Sequence, residues 1–327
     1  MKKVSFFLSL LVSVSFLFQQ CKKEPGVDQN VSNYEHFSII DGRIAFHSQA
    51  DYDAVKLKLA SEQDKIAAWE ASLSNYTSMR TAYADMTDER ASELLNHLDD
   101  YKYLFTKVQE ESGEFSMERN VDNDVMATLI NKDGLLQIGD DVYRFTRDRF
   151  FKTDVKNLDR LMTNSIDLQD KKVAAFDVKR TTMMSDMQVS EERAVTWAEC
   201  TNTSGSFRVK GIIEVEDLID NDCNMITKHQ KKVLGVWFAN STSMSVSFSG
   251  NFVKIWSNCN PAPISFFSGM TSSGNSSSIS LMVMGNHPIF QGCNGSAAPF
   301  HDGLFISTYT AGGKTCSLTC PQGVPCM

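Results

Sequence analysis

The chain has 327 residues, 42% of them hydrophobic and 22% charged, with a formal net charge of −8. That is enough chain for one large or two ordinary domains with real cores, and the acidic balance argues against nucleic acid as a partner. From Leu234 to Met327 the only Asp, Glu, Lys or Arg residues are Lys254, Asp302 and Lys314, so the acidity sits in the first two thirds and two differently built regions are expected.

Lys2 and Lys3 precede a run from Val4 to Phe18 that holds only apolar residues and serine, ending at Gln19, Gln20 and Cys21. This is the layout of a secretory signal peptide over residues 1–20; the run is shorter than the roughly 20 apolar residues that cross a bilayer. A cysteine at the cleavage point predicts lipid attachment at Cys21, with a palmitate-type acyl anchor holding the mature chain on a membrane. Gln19 and Gln20 depart from the small residues that usually precede such a cysteine. Residues 21–36, which combine Lys, Glu, Pro, Gly, Asp and Asn with few large apolar side chains, read as a lipidated flexible tether. The expected location is the outer membrane, facing the periplasm or the cell surface.

Residues 37–165 read as an α-rich region. Phe37 to Phe46 alternates around Asp41-Gly42, which predicts a strand and turn. Ser48 with Asp51 forms a capping pattern, repeated at Ser61 and Asp64, and Tyr52, Val55, Leu59, Ile66, Trp69 and Leu73 fall on one helical face. Thr87 opens a further predicted helix whose apolar positions continue through Phe105 and Val108 until Ser112-Gly113 stops it. A short helix is expected from Asp122 to Ile130. Asp133-Gly134 and Gly139-Asp140 are turn signals, predicting a hairpin over 135–146.

The stretch Asn131-Lys132-Asp133-Gly134, a short strand, Ile138-Gly139-Asp140, then Val142-Tyr143-Arg144-Phe145 resembles a recurring element of uncharacterised Bacteroidota lipoproteins. Those also begin with a short export signal and a cysteine followed by Lys and Glu. The resemblance covers roughly residues 1 to 150 and implies location and fold flavour; it supplies no activity and no catalytic residue.

Residues 166–327 read as a β-rich, cysteine-containing region. Strands are predicted at Val173–Val178, Arg193–Cys200, Ser206–Val215, Thr227–Phe238, Ser243–Ser249, Phe252–Trp256, Ile264–Phe267, Ile279–Met284 and Leu304–Tyr309, with Ser268–Ser278 and Gly292–Ala298 as loops. Met244, Val246 and Phe248 alternate with serines, so one face is buried and the other wet, as in an antiparallel sandwich. The fold class is α+β: a helical N-terminal region followed by a β-sandwich-like C-terminal region. Cys200, Cys223, Cys259, Cys293, Cys316, Cys320 and Cys326 are disulfide candidates in an exported chain, with Cys200–Cys223 and Cys259–Cys293 as possible pairs. Zinc on Cys316, Cys320 and Cys326 is disfavoured by spacing.

Catalytic chemistry finds little footing. No zinc-hydrolase helix and no Gly-x-Ser-x-Gly elbow is present. His287, His301 and Asp302 could supply a base and its orienting carboxylate, but adjacent His and Asp arise easily by chance in a polar loop; Asp220, Asp222 and Asn224, or Asp122, Asn123 and Asp124, could offer oxygens to calcium, but turn formation explains both clusters equally well. No cofactor is expected. An ordinary solvated polar face explains the uncharged final third at least as readily as adhesion does; with the export signal and the absence of a catalytic motif, the expected function is a membrane-anchored, non-enzymatic module that binds or adheres to a glycan, peptide or partner protein. The alternatives are a hydrolase using the His287, His301 and Asp302 loops, or an envelope scaffold.

Overall fold

The structure, a computed structural model, describes residues 31–83, 87–110, 112–163, 166–178, 195–217, 221–250, 253–255, 261–263, 267–284 and 305–320. The described residues open on β1 (Val31–Asn33), β2 (Phe37–Ile40) and β3 (Arg43–Phe46); β1 pairs with β2, so the end of the stretch read as a flexible tether over 21–36 is a sheet strand. Asp41 and Gly42, with φ of 50° and 75°, make the two-residue turn whose twist suits a hairpin. Ser48 caps α1 (Gln49–Ser61), accepting from the Asp51 N–H, which satisfies one of the amides left open at a helix start. The buried face of α1 is Tyr52, Val55 and Leu59. The second capping pattern does not form: the Ser61 hydroxyl donates to the Lys58 carbonyl, and α2 (Ile66–Ala71) starts from Lys65 without a side-chain cap.

After α3 (Met79–Tyr83) comes α4 (Asp88–Asn96), which is shorter than its apolar spacing predicts. Thr87 caps it as expected, but it ends at His97, and Phe105 and Val108 lie instead in β4 (Phe105–Gln109), paired antiparallel with β5 (Phe115–Arg119). Residues three apart share one face of a helix but fall on opposite faces of a strand, and here Phe105 is buried while Val108 is half-buried; the ladder with β5 overrides the helical spacing. Ser112 and Gly113 sit between these two strands rather than at a helix end.

A buried helix, α5 (Asp124–Leu129), follows, and then β6 (Leu135–Ile138), β7 (Asp141–Phe145), β8 (Arg149–Asp154), α6 (Leu158–Leu161) and β9 (Ala174–Asp177). The first sheet runs β1-β2-β3-β6-β7-β8-β9, with β3 and β6 parallel because the helices lie between them in sequence. One core gathers the helices against it through Ile39, Phe46, Tyr52, Met79 and Leu129. A smaller core of Leu135, Val142, Phe151 and Leu161 is completed by Leu158 of α6.

The rest is strand: β10 (Val195–Ser204), β11 (Phe207–Asp217), β12 (Asn221–Val233), β13 (Val236–Ala239), β14 (Thr242–Gly250), β15 (Val253–Ile255), β16 (Pro261–Pro263), β17 (Phe267–Ser276), β18 (Ser278–Met284), β19 (Phe305–Ala311) and β20 (Lys314–Cys320). The second sheet runs β10-β11-β12-β13-β5-β4, with β18 also paired to β12. Strands from both halves of the chain therefore share this sheet, joined by the parallel pair β13–β5. The third sheet, β17-β14-β19-β20, packs its apolar face onto β11, β12 and β18, enclosing Val209, Ile213, Met225, Val246, Phe248, Leu281 and Tyr309. Helices and sheets together make an α+β fold.

Two local readings are corrected here, and one strand is added. The run Thr227–Phe238 is two strands, turned at Leu234 and Gly235, both at positive φ. The Ser- and Gly-rich stretch expected as a loop at Ser268–Ser278 is mostly the edge strand β17, held by its ladder to β14; hydroxyl-rich residues suit a wet strand face as well as a loop. A strand at Lys314–Cys320 was not anticipated, and Gly312 and Gly313 turn the chain into it.

Candidate functional site

A charged junction lies where β5 and the N-terminus of α5 meet β12. Glu118 and Asp122 are brought to it by β5 and the turn after it, and Asn123 caps α5 by accepting from the Val125 and Met126 N–H groups. From β12, Lys228 reaches across and donates to Glu118 Oε2 at 2.6 Å and Asp122 Oδ1 at 2.7 Å. Gln230 donates to the other Glu118 oxygen at 3.0 Å, and Arg147 approaches Asp122 at 3.6 Å.

Ion pairs extend from this centre in both directions. Arg119 meets Asp124 at 2.6 Å, and Arg80 joins Asp124 at 3.7 Å to Glu70 at 2.6 Å. On the other side Arg208 donates to Gln230 and holds Glu110 with both terminal nitrogens, at 2.7 and 2.6 Å, while its guanidinium lies over Trp237. Lys210 continues the series to Glu199 at 2.9 Å. The Asp124 N–H donates to Ser280 Oγ at 2.8 Å, so α5 is also tied to β18.

Burial raises the Glu118 pKa, but the charges of Lys228, Lys210 and Arg147 outweigh it and hold this carboxyl well below the usual carboxylate range. Lys228 is clasped by two carboxylates, which engages its ammonium in the join between β12 and the β5–α5 turn. His229, next along β12, has its pKa lowered by burial and hydrogen-bonds the Asn240 carbonyl through Nδ1 at 2.9 Å. A narrow cleft of about 10 Å³ between Tyr83, Glu118, Lys228 and Ser278 adjoins these groups, with room for about one water molecule. Cohesion between the two halves of the chain is the chemistry this arrangement performs.

The outer face of the third sheet is different in kind. Ser243, Ser245, Ser247 and Ser249 alternate outward on β14, and the strand register sets Ser273, Ser245, Thr310 and Thr315 in one cross-strand row and Thr271, Ser247, Thr308 and Ser317 in the next. Strands are about 4.8 Å apart, so these hydroxyls form a regular array; Thr310 and Thr315 lie within 3.0 Å of each other. Lys314 is the only charged residue in the four strands.

Placement of the candidate residues is uneven. Cys21, His287, His301, Asp302, Asp220, Cys259, Cys293 and Cys326 lie outside the described residues. Asp222 and Asn224 belong to β12, opposite Glu216 and Glu214, and Asn224 is fully buried with neither end of its amide hydrogen-bonded. Asp122, Asn123 and Asp124 serve as ion-pair partner, helix cap and ion-pair partner. Among the described residues, no three His, Cys, Asp or Glu side chains gather to hold a metal ion.

Cys200 is bonded to Cys316, with Cα atoms 6.0 Å apart, which replaces the expected Cys200–Cys223 pair and takes Cys316 out of any zinc set. Cys200 and Cys223 lie on β10 and β12, with β11 between them, whereas β10 packs against β20 across the core. Cys223 and Cys320 belong to β12 and β20. The Glu118–Lys228 contact was not anticipated: the partners are 110 residues apart, and neither has a local pattern. Asn123 did carry a signal, because Asn before an apolar run is a common cap.

No family model and no curated protein matches this chain. Among solved structures, the chain is similar to a DUF4848 family protein from Bacteroides thetaiotaomicron at 12% identity, covering 86% of this chain and 97% of that one, with a TM-score of 0.26. That degree of likeness assigns no role to any residue of this chain. Among the described residues, no helix is long and apolar enough to cross a membrane.

Proposed function

We propose that this protein is an outer-membrane lipoprotein, acylated at Cys21, that acts as a non-enzymatic binding or adhesion module. Its helical front section supports a sandwich-like rear section, and the binding surface is the outer face of the third sheet. The observation that supports this is the two-dimensional array of serine and threonine hydroxyls, with charge excluded from all but one position of its strands. Such a face suits an uncharged, hydroxyl- or amide-rich chain, since it offers both donors and acceptors and no ionic selectivity. A neutral glycan is the ligand class chosen, ahead of a peptide or partner protein.

The test is binding of the protein to immobilised neutral glycans, with Ser245→Glu and Thr308→Glu introduced together. Both positions are partly exposed on that face, so the thermal midpoint is expected to stay within a few degrees. Glycan retention should fall by about tenfold or more, as desolvating a charge of one sign costs over 1.4 kcal/mol. Retention equal to that of the unmodified protein, or none by either form, would remove the adhesion reading. Separately, Cys21→Ser should release the protein from the membrane fraction; retention there would remove the lipid anchor.

A further inference from the structure

A strand at the border of a sheet leaves alternate N–H and C=O groups without a ladder partner, and folded proteins guard such borders with charge, proline, bulges, short length or a covering segment. Most borders of this molecule are guarded in one of these ways. β1 and β9 have three and four residues, and β15 and β16 have three each, two of those in β16 being prolines. β4 carries Lys107 at its middle; β10 carries Glu199 and a register shift between Thr196 and Ala198. β18 is met by α5 at Ser280. β17 has a register shift opposite Phe248 and Gly250, and its Ser272 hydroxyl donates to Gln63, in the 3₁₀ turn Gln63–Lys65, at 3.0 Å. Among the described residues, β20 differs: it runs for seven residues without proline, keeps an unbroken register with β19, and has its one charge, Lys314, beside the turn.

The register says which groups this border presents. Gly312 and Gly313, at φ of 54° and 75°, form a two-residue turn of the primed type, so the flanking pair Ala311 and Lys314 is hydrogen-bonded and the pairs alternate from there. Thr315, Ser317 and Thr319 therefore fall in non-hydrogen-bonded pairs, with N–H and C=O turned away from β19. Two observations agree. The hydroxyls of Thr310 and Thr315 lie 3.0 Å apart and those of Thr308 and Ser317 3.4 Å apart, as the closer spacing of such pairs allows. The Thr315 carbonyl accepts from Asn202 Nδ2 of β10 at 2.8 Å, so it points outward. All three residues are exposed.

We infer that β20 pairs antiparallel with β20 of a second copy of this chain, about a two-fold axis at Ser317, joining the two third sheets into one. The border is self-complementary: Ser317 meets the partner's Ser317, and Thr315 meets the partner's Thr319, outward groups on outward groups, which is the isologous closure of a two-fold dimer. The bond from Asn202 leaves the Thr315 carbonyl a second lone pair. Lys314 falls at the ends of the paired segment, away from its own copy, so no like charges meet. The hydroxyl row of Thr271, Ser247, Thr308 and Ser317 runs on unbroken into the same row of the second chain, at the same strand spacing of about 4.8 Å. The inference does not depend on that face binding a glycan.

The experiment is sedimentation velocity over a range of protein concentrations, on the full chain carrying Cys21→Ser so that no acyl group contributes to association. The chain should pass reversibly from monomer to dimer as concentration rises. Ser317→Lys sets like charges against each other on the two-fold axis and should weaken the dimer by about tenfold or more. Ser317→Pro removes an outward N–H that the β19 ladder does not use, and should weaken it likewise. Ser317→Lys changes only an exposed side chain, so it keeps the test decisive if the proline variant fails to fold. Ser243→Lys, exposed on β14 in the same face but away from the border, should leave the dimer intact. A monomer at every concentration would overturn the inference, as would a dimer unaffected by Ser317→Lys. A dimer weakened equally by Ser243→Lys would place the contact on the face instead of the border, and one held only by a disulfide on non-reducing electrophoresis would place it on cysteine; either overturns the pairing.

Discussion

Replacing Lys228 with methionine is the sharpest test of the junction. Glu118 and Asp122 are both about 2% exposed, and each has a short charge-assisted bond from Lys228 at 2.6 and 2.7 Å. Methionine fills similar volume, so the cost is electrostatic: two buried carboxylates lose their nearest cation, leaving Glu118 with Gln230 and Asp122 with Arg147 at 3.6 Å. Removing one partner of a buried pair costs about 3–5 kcal/mol. Equilibrium unfolding in urea, followed by the fluorescence of buried Trp237, would measure it. Adding Glu118→Gln and Asp122→Asn to the same variant should recover most of the loss, because amides need no counter-charge. A loss under about 1 kcal/mol for Lys228→Met alone would refute the assignment of this cluster as the electrostatic join between the halves.

The pH dependence follows from the same group. The folded pKa of Glu118 is lowered, so its contribution is complete above the unfolded carboxyl value of about 4.3 and is lost as pH falls toward the folded value. Urea midpoints measured from pH 7 downward should decline less steeply below about pH 5 in Glu118→Gln than in the unmodified protein, and parallel declines would count against it. The Cys200–Cys316 bond closes a sequence separation of 116; chain-entropy reasoning puts its removal at about 5 kcal/mol as an upper bound, so Cys200→Ser with Cys316→Ser should lower the thermal midpoint, and an unchanged midpoint would contradict the pairing. A methyl at Gly211 would overlap the ring of Tyr309, which is fully buried, so Gly211→Ala should destabilise by about 1–3 kcal/mol in urea titration. Leu234 has a φ of 50° and is 70% exposed; Leu234→Asn creates an Asn-Gly turn and should stabilise by about 1 kcal/mol, a gain absent if the turn is not of the primed type.

Local chemistry was legible in the amino-acid order wherever a few neighbouring residues suffice to decide it. Asp41-Gly42 and Gly139-Asp140 set turns because their backbone tolerates positive φ. Ser48 and Thr87 start helices because a short side-chain oxygen reaches an open amide. The alternation in Ser243 to Ser249 sorts a strand into a dry and a wet face, so the hydroxyl array was half visible from the start. These are short-range effects, and they work before the chain has folded.

What the tertiary structure decided is what distant segments do to one another. Phe105 to Gln109 has spacing that suits a helix, yet pairing with β5 makes it a strand. Ser268 to Ser276 has loop-like composition, yet β14 offers it a ladder. Cys200 finds Cys316 because two sheets pack face to face, which no cysteine spacing records. Lys228 meets Glu118 and Asp122 only after β5 has entered a sheet built mostly from residues a hundred positions later. The charge cluster and the disulfide both depend on long-range closure, whose outcome is set by how the faces fit together and not by any local pattern.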